Sequence, residues 1–133
     1  MFNLSKFFNK GLKDSVLFQS NGAMSHNGPW KQVYTNTLLD RFHVGDFSSA
    51  EYTISIDFDK DNKEVLKVLV TASLDEASVI IYARNNLGSN LVEVSATVNN
   101  SYVDITLNPT ETKQGAKVIY TVQYFQNQNP QVV

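Results

Sequence analysis

The stretch "NLVEVSATVNNSYVDITLNP", Asn90 to Pro109, decides the fold class. Val92, Val94, Ala96 and Val98 alternate with Glu93, Ser95 and Thr97, and after two asparagines Val103, Ile105 and Leu107 alternate with Tyr102, Asp104 and Thr106. Side chains of a strand point alternately to its two faces, so each run has one apolar face for a core and one polar face for water. Asn99-Asn100 joins the runs and tolerates the positive φ angles that a two-residue hairpin turn requires. The unit therefore reads as an antiparallel hairpin supplying half a core layer. It holds no nucleophile, metal-ligand cluster or phosphate cradle.

The same period extends outward in both directions. In "SAEYTISIDF" Ala50, Tyr52, Ile54, Ile56 and Phe58 share one face, and Glu51, Thr53, Ser55 and Asp57 share the other. Further strands are expected over Val65 to Ser73, Ser78 to Arg84, Leu91 to Val98, Tyr102 to Leu107 and Lys117 to Phe125, separated by "DKDN", "LDEA", "NNLGSN", "NN" and "NPTETKQG". "WKQVYTNTL", "SVLFQ" and "RFHV" add two or three more, and Gly28-Pro29 punctuates their approach. Connections this short cannot hold crossover helices, so the strands pair antiparallel in a β-sandwich or jelly roll. The expected interior includes Ile54, Ile56, Val68, Val70, Val79, Ile81, Val94, Val103, Ile105, Val118 and Tyr120. In "VLKVLV" and "SVIIY" both faces are apolar, which marks central strands or a covered second face.

The chain of 133 residues, 42% hydrophobic, is long enough for one two-layer domain. It has no cysteine, so disulfides and Cys-ligated zinc are excluded and no oxidising compartment is required. Thirteen acids against eleven bases leave a net charge of -2, without the basic footprint of a nucleic-acid binder. No cofactor is expected.

The first residues, "MFNLSKFFNKGLKDSVLFQ", change the period. Leu4, Phe7, Phe8 and Leu12 fall on one face of a short helix, with Phe2 extending the apolar stripe and Lys6, Lys10 and Lys13 more nearly opposite. The longest apolar run there is Val16-Leu17-Phe18, too short for a signal-peptide core or a membrane span, so export by that route is not expected. The domain boundaries are accordingly an arm over 1–14 and a sandwich over 15–133. Three roles compete for the arm: packing on its own domain, docking on a neighbouring subunit, or lying on a membrane surface. A membrane partner fits least, because the stripe is short and weakly basic. Trp30 reads as a core or edge plug, or as an intersubunit anchor.

Several constellations imitate chemistry. "DFDKDNKEVLKV" places Asp57, Asp59 and Asp61 as in a calcium loop, but Asn62 stands where glycine belongs and Val68 where the bidentate glutamate belongs. "LDRFHVGDF" gathers Asp40, Arg41, His43 and Asp46 near Ser48 and Ser49, without the strand-turn-helix elbow of a serine nucleophile. With His26 the only other histidine, zinc would need carboxylates from distant strands. No catalytic or metal site is expected.

The blocks "DRFHVGDFSSAEYTISIDFDKDNKEVLKVLVTA", "ASVIIYARNNLGSNLVEVSATVNNSYVDITLNP" and "GAKVIYTVQYFQNQNP" resemble a module of short virion structural proteins of marine tailed phages, particularly cyanophages. The resemblance spans about Asp40 to Pro130 and carries over no active-site residue. It implies a non-enzymatic virion component, in capsid decoration, neck, baseplate or fibre, assembled in the host cytoplasm. Its partners would be other virion proteins and copies of itself. Outside the resembling region, the apolar stripe of Phe2, Leu4, Phe7, Phe8 and Leu12, with Trp30, is the expected docking set because it is surplus apolar surface. The alternative is a carbohydrate or cell-surface binding module, with Trp30, Tyr34, Tyr82 and Tyr102 as stacking platforms for a host-surface glycan.

Overall fold

The computed structural model describes residues 16–18, 23–28, 31–33, 35–110 and 115–127. The arm over 1–14, with Phe2, Leu4, Phe7, Phe8 and Leu12, lies outside the described residues, as do Trp30 and Tyr34. The described chain is all β: β1 (Val16–Phe18), β2 (Ala23–Asn27), β3 (Lys31–Val33), β4 (Thr37–His43), β5 (Phe47–Asp59), β6 (Asn62–Ala72), β7 (Ala77–Leu87), β8 (Val92–Asn99), β9 (Tyr102–Pro109) and β10 (Ala116–Gln126).

These strands form two antiparallel sheets. The larger runs β1-β2-β10-β5-β6-β7, with β3 also paired to β10; the smaller runs β4-β9-β8. β2 and β3 lie end to end along one edge of β10, opposite residues 121–125 and 116–118. Between them the Gly28 amide donates to the Tyr120 carbonyl at 2.9 Å. A Cβ at residue 28 would sit 1.8 Å from the buried Tyr120 ring, so only glycine admits this approach.

The inward faces follow the alternation. Ala50, Tyr52, Ile54 and Ile56 of β5, Leu66, Val68 and Val70 of β6, and Val118, Tyr120, Val122 and Tyr124 of β10 meet Leu39 and Phe42 of β4 and Val103, Ile105 and Leu107 of β9. Sealing a side chain of this size from water contributes about 1.5–3 kcal/mol, which makes this layer the main source of stability. Of the expected interior, Val79, Ile81 and Val94 are only half-buried. They sit on β7 and β8, the end strands of the two sheets, where a side chain has neighbours on one side only.

Four sequence expectations shift. "WKQVYTNTL" splits, because a bend at residues 35–36 separates β3 from β4 and carries the chain from one sheet to the other. β2 was not anticipated, since "AMSHN" lacks β-branched residues and alternation. β7 runs on to Leu87 past Arg84. The hairpin turn lies one residue later than Asn99-Asn100: Asn99 pairs with Tyr102, and the left-handed residues are Asn100 (φ 51°) and Ser101 (φ 69°).

Register shifts interrupt the ladders at four places, two of them on β5; the other two decide which polar side chains enter the interior. On β4 the pairing passes from Leu38–Thr106 to Asp40–Ile105, leaving Leu39 extra. On β7 it passes from Ile81–Val68 to Ala83–Lys67, leaving Tyr82 extra. An extra residue reverses which side chains face inward beyond it. It therefore turns Asp40 on one flank, and Arg84 and Asn86 on the other, toward the space between the sheets.

Ser101 occupies a left-handed position that a residue with a Cβ adopts at a cost of about 1 kcal/mol. Ser101→Gly, which converts the turn to Asn-Gly, should raise the melting temperature by several degrees in a thermal scan; an unchanged or lower value would show that the turn is not strained.

Candidate functional site

At the first flank, the Asp40 carboxylate accepts hydrogen bonds from the Tyr52 hydroxyl of β5 at 2.7 Å and from the Tyr124 hydroxyl of β10. Phe42 and Phe47 pack on the Tyr124 ring at centroid distances of 5.7 and 4.9 Å. One carboxylate of the smaller sheet thus ties two strands of the larger one. Burial pushes both phenols up from their ordinary range, and the neighbouring Asp40 charge adds to it.

On the outer surface of the smaller sheet Arg41 makes a two-pronged ion pair with Asp104, directly opposite it on β9. The guanidinium lies 5.6 Å from the Tyr102 ring centre, and the His43 ring meets Tyr102 edge-on at 4.9 Å. His43 Nδ1 accepts the Gly45 amide at 3.0 Å, so in the neutral ring the proton is on Nε2. Asp46 lies in the following turn, its amide donating to the His43 carbonyl and its carbonyl accepting the Asn127 amide.

The residues of "LDRFHVGDF" are thus close in space but separately committed. Asp40 serves two tyrosines, Arg41 serves Asp104, and His43 Nδ1 serves a backbone amide; none of these contacts pairs a base with Ser48 or Ser49. Activation of a serine needs its hydroxyl against the base.

At the β5–β6 tip, Asp59 accepts the Asp61 amide and the Asn62 side-chain amide, and Lys63 bonds Asp57 at 2.8 Å. These carboxylates hold the turn. Among the described residues no three of His, Cys, Asp or Glu converge as metal ligands, and no helix is long and apolar enough to cross a membrane.

At the second flank is Glu64, whose side chain is fully enclosed. Its Oε2 accepts from Arg84 Nη1 and Asn86 Nδ2, both at 3.0 Å, and its Oε1 from the Leu91 amide at 3.2 Å. Arg84 goes on to the Val92 carbonyl and to Glu93 of β8, and Asn86 to Asn90. This is the inter-sheet tie of the β7–β8 side, and it holds the 88–91 crossover. Glu64 was legible in principle, since it lies in phase with Leu66, Val68 and Val70; its partners were not, because the bulge at Tyr82 breaks the period.

The outward face of β6 and β7 is rich in apolar side chains. Ile80 and Leu87 are 59% and 58% exposed, and Val65, Leu69 and Tyr82 about 40% or more. Leu69 and Ile80 are cross-strand partners, and the Tyr82 hydroxyl donates to Glu51 of β5 at 3.0 Å. The second apolar faces of "VLKVLV" and "SVIIY" are this surface.

No protein-family model matches the chain, and no curated protein matches it. Among solved structures, the tailspike protein of Acinetobacter baumannii phage AM24 superimposes with a TM-score of 0.52 over 80% of this chain and 27% of its own, at 8% identity. The tailspike of Acinetobacter baumannii bacteriophage Fri1, a capsular polysaccharide depolymerase, gives 0.47 at 12% identity over 96% of this chain and 22% of its own. The chain thus spans under a third of the length of these proteins. The AM24 likeness is one of fold.

The raised Tyr52 and Tyr124 pKa values set a sign. The fold favours the neutral phenols, so their contribution is complete below the ordinary tyrosine pKa of about 10 and is lost as pH rises beyond it. In an alkaline titration, part of the phenolate absorbance should rise only together with loss of the strand circular dichroism. Complete tyrosine ionisation with a native spectrum would contradict the Asp40 tie.

Proposed function

We propose that this chain is a non-enzymatic structural module of a phage virion, assembled through protein contacts. The observation that carries this reading is the overlay on a segment of the AM24 tailspike across four-fifths of the chain. The sequence resemblance over about Asp40 to Pro130 supports the same class, and its cyanophage character belongs to this proposal. The commitments of Asp40, Arg41 and His43 to structural partners support a non-catalytic role. A tail location is favoured over capsid decoration by the tailspike likeness. The arm stripe of Phe2, Leu4, Phe7, Phe8 and Leu12, with Trp30, is the docking set toward the scaffold.

A second reading has one observation in its favour: exposed Tyr102 stands beside Arg41, His43 and Asp104 on a strand face, a combination of ring and polar groups suited to a sugar. In that reading the chain is a carbohydrate or cell-surface binding module whose ligand is a host-surface glycan.

The test is incorporation. In particles purified from the phage that encodes it, the protein should be present, and a version lacking residues 1 to 14 should fold with nearly the same melting temperature yet be missing from the particles. A protein absent from particles that instead binds host-surface glycans would replace the first reading with the second.

A further inference from the structure

We propose that the outer face of the larger sheet over β10, β5, β6 and β7, with Leu69 and Ile80 in its apolar part, is the surface by which two copies of this chain pair face to face about a two-fold axis. The inference rests on the assembly reading above and names its partner as a second copy.

Three features of the surface point to this occupant. The first is placement: Val65, Leu69, Ile80, Tyr82 and Leu87 lie together on β6 and β7, whereas the β5 column beside them, Ser49 to Asp57, is polar throughout. Ile119 and Phe125 of β10 add exposed apolar area beyond that column. Apolar surface gathered in this way marks an interaction site.

The second is charge. Lys117, Asp57 and Lys63 form a charged row at one end, where Lys63 bonds Asp57. In and beside the apolar part the charges are Lys67 on β6 and Glu51 on the neighbouring β5, set diagonally, and Lys67 has no ion-pair partner among the described residues. A two-fold interface must be complementary to itself. A patch with one cation and one anion meets that demand, because Lys67 of each copy can face Glu51 of the other while Leu69 and Ile80 meet across the axis.

The third is area. Four strands about 4.8 Å apart and about 35 Å long give the face roughly 650 Å² per copy. Two copies in full overlap would bury up to about 1,300 Å², which reaches the lower end of the roughly 1,200–2,000 Å² of specific interfaces.

Edge-to-edge pairing through β7 is the competing arrangement, and its geometry is poor. The bulge at Tyr82 breaks the strand's unpaired edge, and Arg84 points inward; both features discourage strand addition.

Sedimentation velocity of the full chain at micromolar concentration tests the proposal. The wild-type protein should sediment as a dimer that dissociates on dilution, and Ile80→Lys or Leu69→Lys should give monomers with unchanged circular dichroism. Lys67→Glu and Glu51→Lys should each weaken pairing by about tenfold, and the two together should restore it. A monomeric wild type, a dimer that survives Ile80→Lys, or a charge swap that fails to recover pairing would overturn it. A monomer that still enters particles would remove the self-pairing and leave the virion role standing.

Discussion

A carboxylate enclosed between two sheets must be matched by donors or it destabilises the fold, and Glu64 is that group here. Its demand is met by three donors from three places: Arg84 and Asn86 of β7 and the backbone of Leu91 in the crossover to β8. With strict alternation beyond Ile81, β7 would turn Arg84 and Asn86 outward. The extra residue at Tyr82 reverses the phase, and the two side chains arrive inside. Register, crossover and inter-sheet contact on this flank thus answer to one buried charge.

The other flank repeats the arrangement with different residues. The bulge at Leu39 brings Asp40 inward, where it binds Tyr52 and Tyr124 of the facing sheet. Hydrophobic packing between the ties is non-directional and supplies most of the energy. The hydrogen-bonded ties are directional and supply the alignment of one sheet on the other. On the β7 side this has an outward consequence, since the one charged residue of β7 is spent inside and Ser78, Ile80, Tyr82, Ala83, Asn85 and Leu87 leave an uncharged outer surface.

Much of this architecture was legible in the residues. "SAEYTISIDF" and "VEVSATV" display their alternation openly, and both became strands with the expected inward faces. Glu64 stood in phase with the apolar face of β6 and could have been marked as a buried acid. What alternation cannot display is its own interruption: "SVIIYARNN" gives no sign of where the extra residue falls, and the partner that Arg84 and Asn86 meet beyond it, Glu64, lies on another strand. Asp40 likewise looked like a member of a polar cluster with His43, because sequence proximity does not tell which of two adjacent residues a bulge will turn inward. The arm stripe and Trp30 were singled out by pattern, and they lie outside the described residues.

The most direct measure of the account is a double-mutant cycle on chemical denaturation, with Arg84→Met, Glu64→Leu and the pair. Arg84→Met alone leaves the carboxylate enclosed without its cation and should cost about 3–5 kcal/mol, whereas adding Glu64→Leu should recover a large part of that loss. Independent, additive effects of the two substitutions, or an Arg84→Met protein as stable as wild type, would contradict the claim that the buried Glu64 charge organises this side of the sandwich.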